Sequence, residues 1–252
     1  MIMDEQELCR KRLMDLSRQA ERRNRVTCSH FLNLNEQNIY HSSERMFRTE
    51  SLAFGGYESA ERQMVAFIPD ALMFSGDFPI RCLLAEPKHA KYAGELSHRD
   101  VLGALMHLGI DRSKIGDIVC SEKKFYIFCE EDIQSFIAEN LTKIGRTDMV
   151  LTAASDTGGI SFSPVFEERP DTVASNRIDC IVARAYRLSR TRASDLIAGE
   201  RVFIDGRCVT EASQPCPSGA IVSVRGKGRF VFETDQAFSK KGKLKVLFRM
   251  YV

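Results

Sequence analysis

The chain has 252 residues, of which 44% are hydrophobic and 28% are charged, a composition typical of a soluble globular protein with two or three domains. No apolar run approaches a membrane span and the N-terminus is charged, which excludes a membrane protein and predicts a cytoplasmic one. The eight cysteines have neither Cys-x-x-Cys nor zinc spacing, so we expect reduced thiols and no metal site.

Residues 1–75 predict a small N-terminal helical region of mixed structure. A helix over 5–23 is expected to carry Leu8, either Leu13 or Met14, and Leu16 on one side. We interpret its basic polar face as solvated surface rather than as an RNA contact. A second helix is expected to begin near Asn35, and the apolar run 64–68 is typical of a strand.

Residues 76–157 predict a compact β-α-β-β-α-β unit. Strands are expected at 80–85, 115–120, 125–129 and 148–153, and helices at 97–108 and 131–144. This order is that of a ferredoxin-like unit, an architecture that RNA-recognition modules share. Residues 124–128 come nearest to the aromatic signature of those modules but lack both of its glycines, so contact with RNA, tRNA or protein stays open. Residues 158–174, with two prolines and paired glutamates, predict a linker.

The domain at 175–252 is expected to begin with two short helices. Ser189 is a good N-cap for the second, and Gly199 stands where a left-handed C′ residue belongs. The start of that helix carries arginines and hydroxyls outside its apolar stripe: Arg190, Thr191, Arg192 and Ser194. A helix N-terminus already attracts anions, so this segment predicts a phosphate site. Because Arg190 and Arg192 lie off the apolar stripe, we expect their replacement to spare the fold.

The rest of this domain is expected to be β-structure with a basic surface. Asp205-Gly206 is the favoured dipeptide of a two-residue hairpin, and Gly226-Lys227-Gly228-Arg229 is expected to turn the chain between two strands. Residues 175–252 hold 15 basic and 7 acidic side chains, whereas the preceding residues hold 21 and 27. The polyanionic partner therefore belongs to the C-terminal third, and residues 175–252 are expected to bind structured RNA far better than residues 1–174.

Two helices, an Asp-Gly hairpin, a strand and a basic glycine-rich turn, in this order, resemble the S-four RNA-binding domain, also called the alpha-L motif. The resemblance predicts an α+β, multidomain chain that ends in such a domain. It also implies which residues line an RNA-facing groove: Arg177, Arg187, Ser189, Arg190, Arg192, Lys227 and Arg229.

The front of the chain resembles the YlmH family. The similar segments are Phe31-Leu32 with Glu36-Gln37, Phe54-Gly55-Gly56-Tyr57 with Ala60-Glu61-Arg62, residues 96–105, Leu108-Gly109-Ile110, and Ile115-Gly116-Asp117-Ile118. This resemblance implies a ribosome-associated RNA-binding protein with no enzymatic activity and no cofactor. It implies links to the large ribosomal subunit and its RNA, to rescue of stalled subunits carrying peptidyl-tRNA, and to cell division.

An RNA-modifying enzyme is the main alternative, and a tRNA- or mRNA-binding regulator is another. A pseudouridine synthase would need an aspartate after Gly-Arg-Leu, and the only similar string, 176–179, begins a helix of the RNA domain. The glycine-rich loop of a methyltransferase and the phosphate-cradling Gly-x-x-x-x-Gly-Lys-Ser/Thr are both absent from the sequence. His98-Arg99-Asp100 is explained by helix capping, since Ser97 and Asp100 have the spacing of a capping box. We therefore expect a binding protein without catalytic residues.

Overall fold

The computed structural model describes residues 5–70, 72, 76–89, 94–121, 123–154 and 166–251. The chain divides into two compact units, Met1–Phe162 and Ser163–Val252, and each combines helices with antiparallel sheet. Within the described ranges, every helix is too short or too polar to cross a lipid bilayer.

The first unit opens with two helices on a three-stranded sheet. Its elements are α1 (Glu5–Arg23), β1 (Thr27–Cys28), α2 (Leu34–Ser43), β2 (Glu50–Phe54) and β3 (Met64–Ile68), with the antiparallel strand order β1-β3-β2. Helix α1 shares a buried core with Val65 and Phe67 of β3 through Cys9 and Leu13. The expected helix near residue 35 and the strand at 64–68 are confirmed.

One strand of this region was not predicted, and one expectation is wrong. Strand β2 pairs with β3 over five residue pairs, and that pairing cannot be seen in the local pattern of β2. Leu8 is 55% exposed, because the face that α1 buries passes through Cys9, Leu13 and Ala20, at helical spacing.

The second part of this unit has the predicted β-α-β-β-α-β order with one short strand added. Its elements are β4 (Ile80–Pro87), α3 (His98–His107), β5 (Ile115–Ser121), β6 (Lys124–Glu130), α4 (Gln134–Asn140), β7 (Lys143–Ile144) and β8 (Thr147–Ala153). The antiparallel sheet has the order β5-β6-β4-β8-β7, and α3 and α4 share the core on one of its faces. Helix α4 is shorter than predicted because Gly145, at φ +59°, forms a turn that pairs β7 with β8.

A half-buried polar network joins these two parts of the first unit. The carboxylate of Asp117 accepts hydrogen bonds from the Tyr57 hydroxyl at 2.6 Å and from the backbone N–H groups of Glu61 and Arg62 at 2.7 and 3.1 Å. The Nε of Arg62 donates to the carbonyl of Ile115 at 3.0 Å, and burial lowers the pKa of Arg62. Residues 5–70 and 76–154 therefore belong to one compact unit.

Gly56 packs closely at the same contact between residues 5–70 and 76–154, which we call the seam of the first unit. Gly56 has φ +101°, and a Cβ atom there would lie 2.5 Å from the ring of Phe128. The ring of Tyr57 lies 5.0 Å from that of Phe128. Only glycine combines this backbone conformation with this approach, so the Gly55-Gly56-Tyr57 motif has a structural explanation.

The second unit packs two helices on one face of a six-stranded antiparallel sheet. Its elements are β9 (Phe166–Val173), α5 (Ile178–Ala185), α6 (Arg190–Ala198), β10 (Val202–Ile204), β11 (Arg207–Cys208), β12 (Ile221–Val224), β13 (Gly228–Glu233) and β14 (Leu244–Tyr251). The strand order is β11-β10-β12-β13-β14-β9. Phe230, Phe232 and Phe248 lie in the core with the apolar faces of α5 and α6.

The predicted linker 158–174 is wrong over residues 166–173, and its earlier residues 158–165 lie outside the described ranges. Strand β9 pairs with β14 over eight residue pairs, from Val173 with Leu244 to Phe166 with Tyr251. The strand looks like a linker because it lies at the sheet edge, where Pro170 and charged residues are tolerated. Its partner strand is about 80 residues away along the chain, so no local pattern shows the pairing.

Turn chemistry in this unit follows the prediction in one place and departs from it in another. Asp205 and Gly206 have φ of 48° and 76° and join the directly paired Ile204 and Arg207, so the two-residue hairpin is confirmed. Gly199, however, has φ −83°, and the left-handed residue after α6 is Glu200 at φ 53°.

Candidate nucleic-acid interface

The start of α6 presents a capped, basic helix terminus. The Ser189 side chain accepts a hydrogen bond from the Arg192 N–H at 3.1 Å, which confirms the predicted N-cap. Ser189, Arg190, Thr191 and Arg192 are exposed, and Ser194 is half-buried. The Arg192 side chain has no ion-pair partner within the described ranges. The remaining N–H groups of this turn, together with that guanidinium, can therefore bind a phosphate.

Arg190 has a structural partner that the sequence did not show. Its Nη2 lies 2.6 Å from Oδ2 of Asp179, a residue that is 2% exposed. Arg177 approaches the same carboxylate through two nitrogens, each at 3.2 Å, and the Cys180 N–H donates to it at 2.9 Å.

This cluster keeps Asp179 ionised inside the fold. Burial by itself would raise the pKa of Asp179, but hydrogen bonds from Arg177 and Arg190 outweigh burial and lower that pKa to about 2. The structure therefore gives a reason to expect that replacing Arg190 affects the fold, because its loss removes one of the two cations that neutralise a buried carboxylate. Arg192 remains the candidate phosphate-binding arginine, a role that the sequence predicted for both Arg190 and Arg192.

Arg187 lies in the turn between α5 and α6, two residues before the cap. It is exposed and has φ 53°. Hydrogen bonds from Arg169 lower the pKa of Glu167, and the charge of Arg187 adds to that effect. Arg187 therefore faces the acidic residues of β9 as well as solvent, which reduces the positive field available to a ligand.

The turn between β12 and β13 is held beside the helices. Lys227, at the tip of this turn, is exposed. Nη2 of Arg201, which follows α6, donates to the Arg225 carbonyl at 3.0 Å. On the other side, a Cβ atom at Gly228 would lie 4.0 Å from the hydroxyl of Tyr186, at the end of α5. The fold therefore brings Lys227 to the end of the unit where both helices are anchored.

Arg229 does not share a face with the helices. Side chains alternate along β13, and Phe230 lies in the core with α5 and α6. Arg229 therefore lies on the opposite face of the sheet, where its guanidinium carbon is 4.5 Å from the ring centroid of Tyr251. The single groove expected to contain Arg229 with the α6 residues is wrong for this side chain.

In the five-stranded sheet of the first unit, strand β6 does not expose the aromatic rings on which an RNA-recognition module stacks bases. Tyr126 and Phe128, which lie on the sheet face away from α3 and α4, are 7% and 1% exposed. Tyr57 and Gly56 cover Phe128. Bases cannot stack on these two rings without opening the seam of the first unit.

The helix cap before α3 follows the sequence interpretation. Asp100 accepts hydrogen bonds from the N–H and hydroxyl of Ser97 at 2.8 and 2.6 Å, so its predicted role as a helix cap is confirmed. Across the described part of the chain, histidine, cysteine and acidic side chains form no group of three that could hold a metal ion.

Comparison with known proteins gives the family. Residues 5–72 match the family profile described as "YlmH, N-terminal", and residues 75–157 match "Putative RNA-binding domain in YlmH". A Bacillus subtilis (strain 168) protein named "Ribosome-associated protein quality control protein P2" is 32% identical over 200 residues, which cover 78% of this chain and 77% of that protein. The chain belongs to the YlmH family.

A solved YlmH structure has the same fold over much of the chain. The "Cell division protein ylmH from Streptococcus pneumoniae" superposes with a TM-score of 0.52 at 22% identity, covering 64% of this chain and 98% of that one. At this identity the likeness concerns the fold alone. The boundary between the two YlmH profiles falls between β3 and β4, inside the first compact unit.

Sequence reasoning missed three residues of this interface: Asp179, Arg201 and Arg225. Asp179 carried a signal, since it is a lone carboxylate in a helix whose other residues are mostly apolar and buried. Arg201 and Arg225 carried none, because their roles depend on a contact between segments 24 residues apart.

Proposed function

We propose that this protein is a cytoplasmic, ribosome-associated RNA-binding protein without catalytic activity. Its second unit binds structured RNA of the large ribosomal subunit, in quality control or rescue of stalled subunits, with tRNA as a further partner. The observation that carries the proposal is the Ser189-capped start of α6 with the exposed guanidinium of Arg192. The family and the printed name of the Bacillus subtilis relative support the ribosomal context.

The phosphate contacts of this proposal come from two elements. Backbone N–H groups at the start of α6 and the Arg192 fork converge on one phosphate. Lys227, at the tip of the turn between β12 and β13, supplies a second point charge. In this proposal Arg190 and Arg177 act mainly through Asp179, which they hold in the fold beside the cap.

The proposal also assigns a domain type to the second unit and to residues 80–153 of the first unit. The second unit is an S-four-type domain, extended by β9 and β14 at one sheet edge. Residues 80–153 form a ferredoxin-like unit of the kind that RNA-recognition modules share. The buried positions of Tyr126 and Phe128 mean that any RNA contact of this unit uses a surface other than those two rings.

A binding protein is favoured over an RNA-modifying enzyme by the state of Asp179. This residue ends the string that came nearest to a pseudouridine synthase motif. Its carboxylate is buried and ion-paired with Arg177 and Arg190, so it is not placed to attack a nucleotide. A tRNA- or mRNA-binding regulator is the remaining alternative, and the experiment below separates it by the RNA that is bound.

The test is co-sedimentation of the full chain with isolated ribosomal subunits, comparing Arg192→Gln with Lys240→Gln. Both variants remove one exposed positive charge, but Lys240 lies in the loop between β13 and β14 at the far end of the sheet. We expect Arg192→Gln alone to weaken binding to the large subunit, with an unchanged melting temperature. The log–log salt slope should become shallower by about 0.7–0.9.

Equal binding by both variants, or binding to free tRNA or mRNA with none to subunits, would contradict the proposal. Crosslink mapping of the bound RNA then identifies which helix is contacted.

A further inference from the structure

The sheet of the second unit has a face that α5 and α6 do not cover, and arginines on that face are stacked on aromatic rings. The guanidinium carbon of Arg225 lies 4.8 Å from the ring centroid of Phe203. Arg229 lies 4.5 Å from Tyr251, and Arg249 lies 4.3 Å from Phe166. These three pairs form an arginine–aromatic strip, whose members are Phe166, Phe203, Arg225, Arg229, Arg249 and Tyr251.

Strand register places the strip in a line across the sheet. Phe203 pairs directly with Ser223, and Ser223 pairs with Arg229, on three neighbouring strands. Tyr251 and Phe166 are paired on the next two strands, with ring centroids 4.9 Å apart. Neighbouring strands are about 4.8 Å apart, so the strip is about 20 Å long.

The strip lies at the end of the sheet where the turn between β12 and β13 carries Lys227. Arg225 and Lys227 are exposed, while Phe203, Arg229 and Tyr251 are half-buried. Arg249 is neutralised by Glu233 at 3.0 Å and Glu168 at 3.8 Å. The positive charge available to a ligand is therefore concentrated at the Lys227 end.

We propose that this arginine–aromatic strip binds single-stranded RNA. Planar rings and guanidinium groups are the surfaces on which unpaired bases stack, and an adjacent basic turn holds the phosphates. A duplex hides its base faces inside the helix, so it cannot use such a strip. The strip lies on the sheet face opposite α6 and adjoins the α6 site at Lys227, so it extends the proposed function from structured RNA to an adjoining unpaired segment.

The probe is a fluorescent oligouridylate or oligoadenylate of roughly 12 nucleotides, with affinity for the full chain measured by anisotropy. Phe203→Leu with Tyr251→Leu should weaken binding about tenfold or more, because each stacked ring contributes severalfold to affinity. Phe203→Tyr with Tyr251→Phe keeps both rings, so its affinity should stay within about twofold of the unmodified chain.

Charge is tested separately from stacking. Arg225→Gln should weaken oligonucleotide binding and make its salt slope shallower, by about 0.7 if one phosphate contact is lost. Lys245→Gln is the matched control, since this exposed lysine lies on the same sheet face at the opposite end and its loss should leave binding unchanged.

The outcomes separate this inference from the proposed function. Arg192→Gln should retain oligonucleotide binding, and the strip variants should retain most binding to duplex ribosomal RNA. If the full chain binds duplex RNA but no oligonucleotide, or if Arg225→Gln and the leucine variants bind it normally, the strip is not an RNA site and the proposed function stands. If the leucine variants melt at a lower temperature than the unmodified chain, the affinity of Arg225→Gln alone decides whether the strip binds RNA.

A strip mutation that changes the oligomeric mass in sedimentation, without changing oligonucleotide affinity, would instead show that the strip is a contact between copies of the chain.

Discussion

At the scale of single residues, the arginines before and at the start of α6 divide into two kinds. Arg177 and Arg190 neutralise the buried carboxylate of Asp179, whereas Arg192 has no such partner within the described ranges. Sequence spacing predicts the same exposed role for Arg190 and Arg192, because both lie off the apolar stripe of the helix. The difference arises from the position of Asp179, eleven residues earlier, which only the packing of α5 against α6 establishes.

The pH dependence of stability should report this cluster. The pKa of Asp179 is lowered in the folded state from 3.8 to about 2, so its contribution is complete above pH 3.8 and is lost as the pH falls towards 2. That shift corresponds to about 2 kcal/mol. Asp179→Asn should remove this dependence, as measured by urea unfolding between about pH 2 and pH 5.

Arg190→Gln provides the companion measurement at neutral pH. We expect it to lower the free energy of unfolding, but only in part, because Arg177 keeps some of the neutralisation and Arg190 itself is largely exposed. Arg192→Gln, which removes the same charge from the same helix, should have almost no effect. Equal stability of the two variants would show that Arg190 does not support Asp179.

At the scale of elements, the second unit depends on a strand that precedes its helices. Strand β9 completes the sheet by pairing along β14, and Val173 enters the core opposite Leu244. An RNA-binding fragment that begins at residue 175, where the sequence alone placed the boundary, therefore lacks an edge strand and exposes the whole length of β14.

Thermal unfolding of two fragments tests this role. A fragment of residues 163–252 should unfold cooperatively, whereas residues 175–252 should melt at a lower temperature and aggregate more readily. The shorter fragment loses eight strand pairs and the burial of Val173. If both fragments melt at the same temperature, β9 is dispensable and the boundary at 175 is adequate for binding studies.

At the scale of the whole molecule, the boundary between the two YlmH profiles lies inside one compact unit. Asp117 and Arg62 join the two parts through half-buried hydrogen bonds, and Gly56 brings the backbone against the ring of Phe128. A unit held in this way should unfold in one transition, because neither part keeps its polar groups satisfied without the other.

Gly56→Ala should therefore destabilise the entire first unit. The substitution combines a strained φ of +101° with a contact of 2.5 Å to Phe128, at a cost of at least about 1 kcal/mol. Gly145→Ala is the matched control, since Gly145 also has positive φ but no atom within 4 Å of the added Cβ. In calorimetry the transition of the first unit should move further for Gly56→Ala, and that of the second unit should not move. Equal shifts for both variants would mean that backbone strain, rather than the seam, sets the cost.

The sequence by itself determined the features that depend on neighbouring residues. These are the caps at Ser97 and Ser189, the Asp205-Gly206 turn, the order of elements in residues 80–153, and the basic character of the C-terminal third. Caps and two-residue turns are governed by backbone hydrogen bonds within a few residues, so their patterns can be recognised locally. The family resemblance was visible for the same reason, since its motifs are short runs of adjacent residues.

Only the tertiary structure decided which of these features meet in space. The pairing of β9 with β14, the burial of Asp179 and the covering of Phe128 by Gly56 and Tyr57 each join segments distant along the chain. The same is true of the face on which Arg229 lies, because strand alternation tells which residues share a face but not which face the helices cover. The free energy of such contacts depends on three-dimensional packing and on the exclusion of water, and neither is encoded in local spacing.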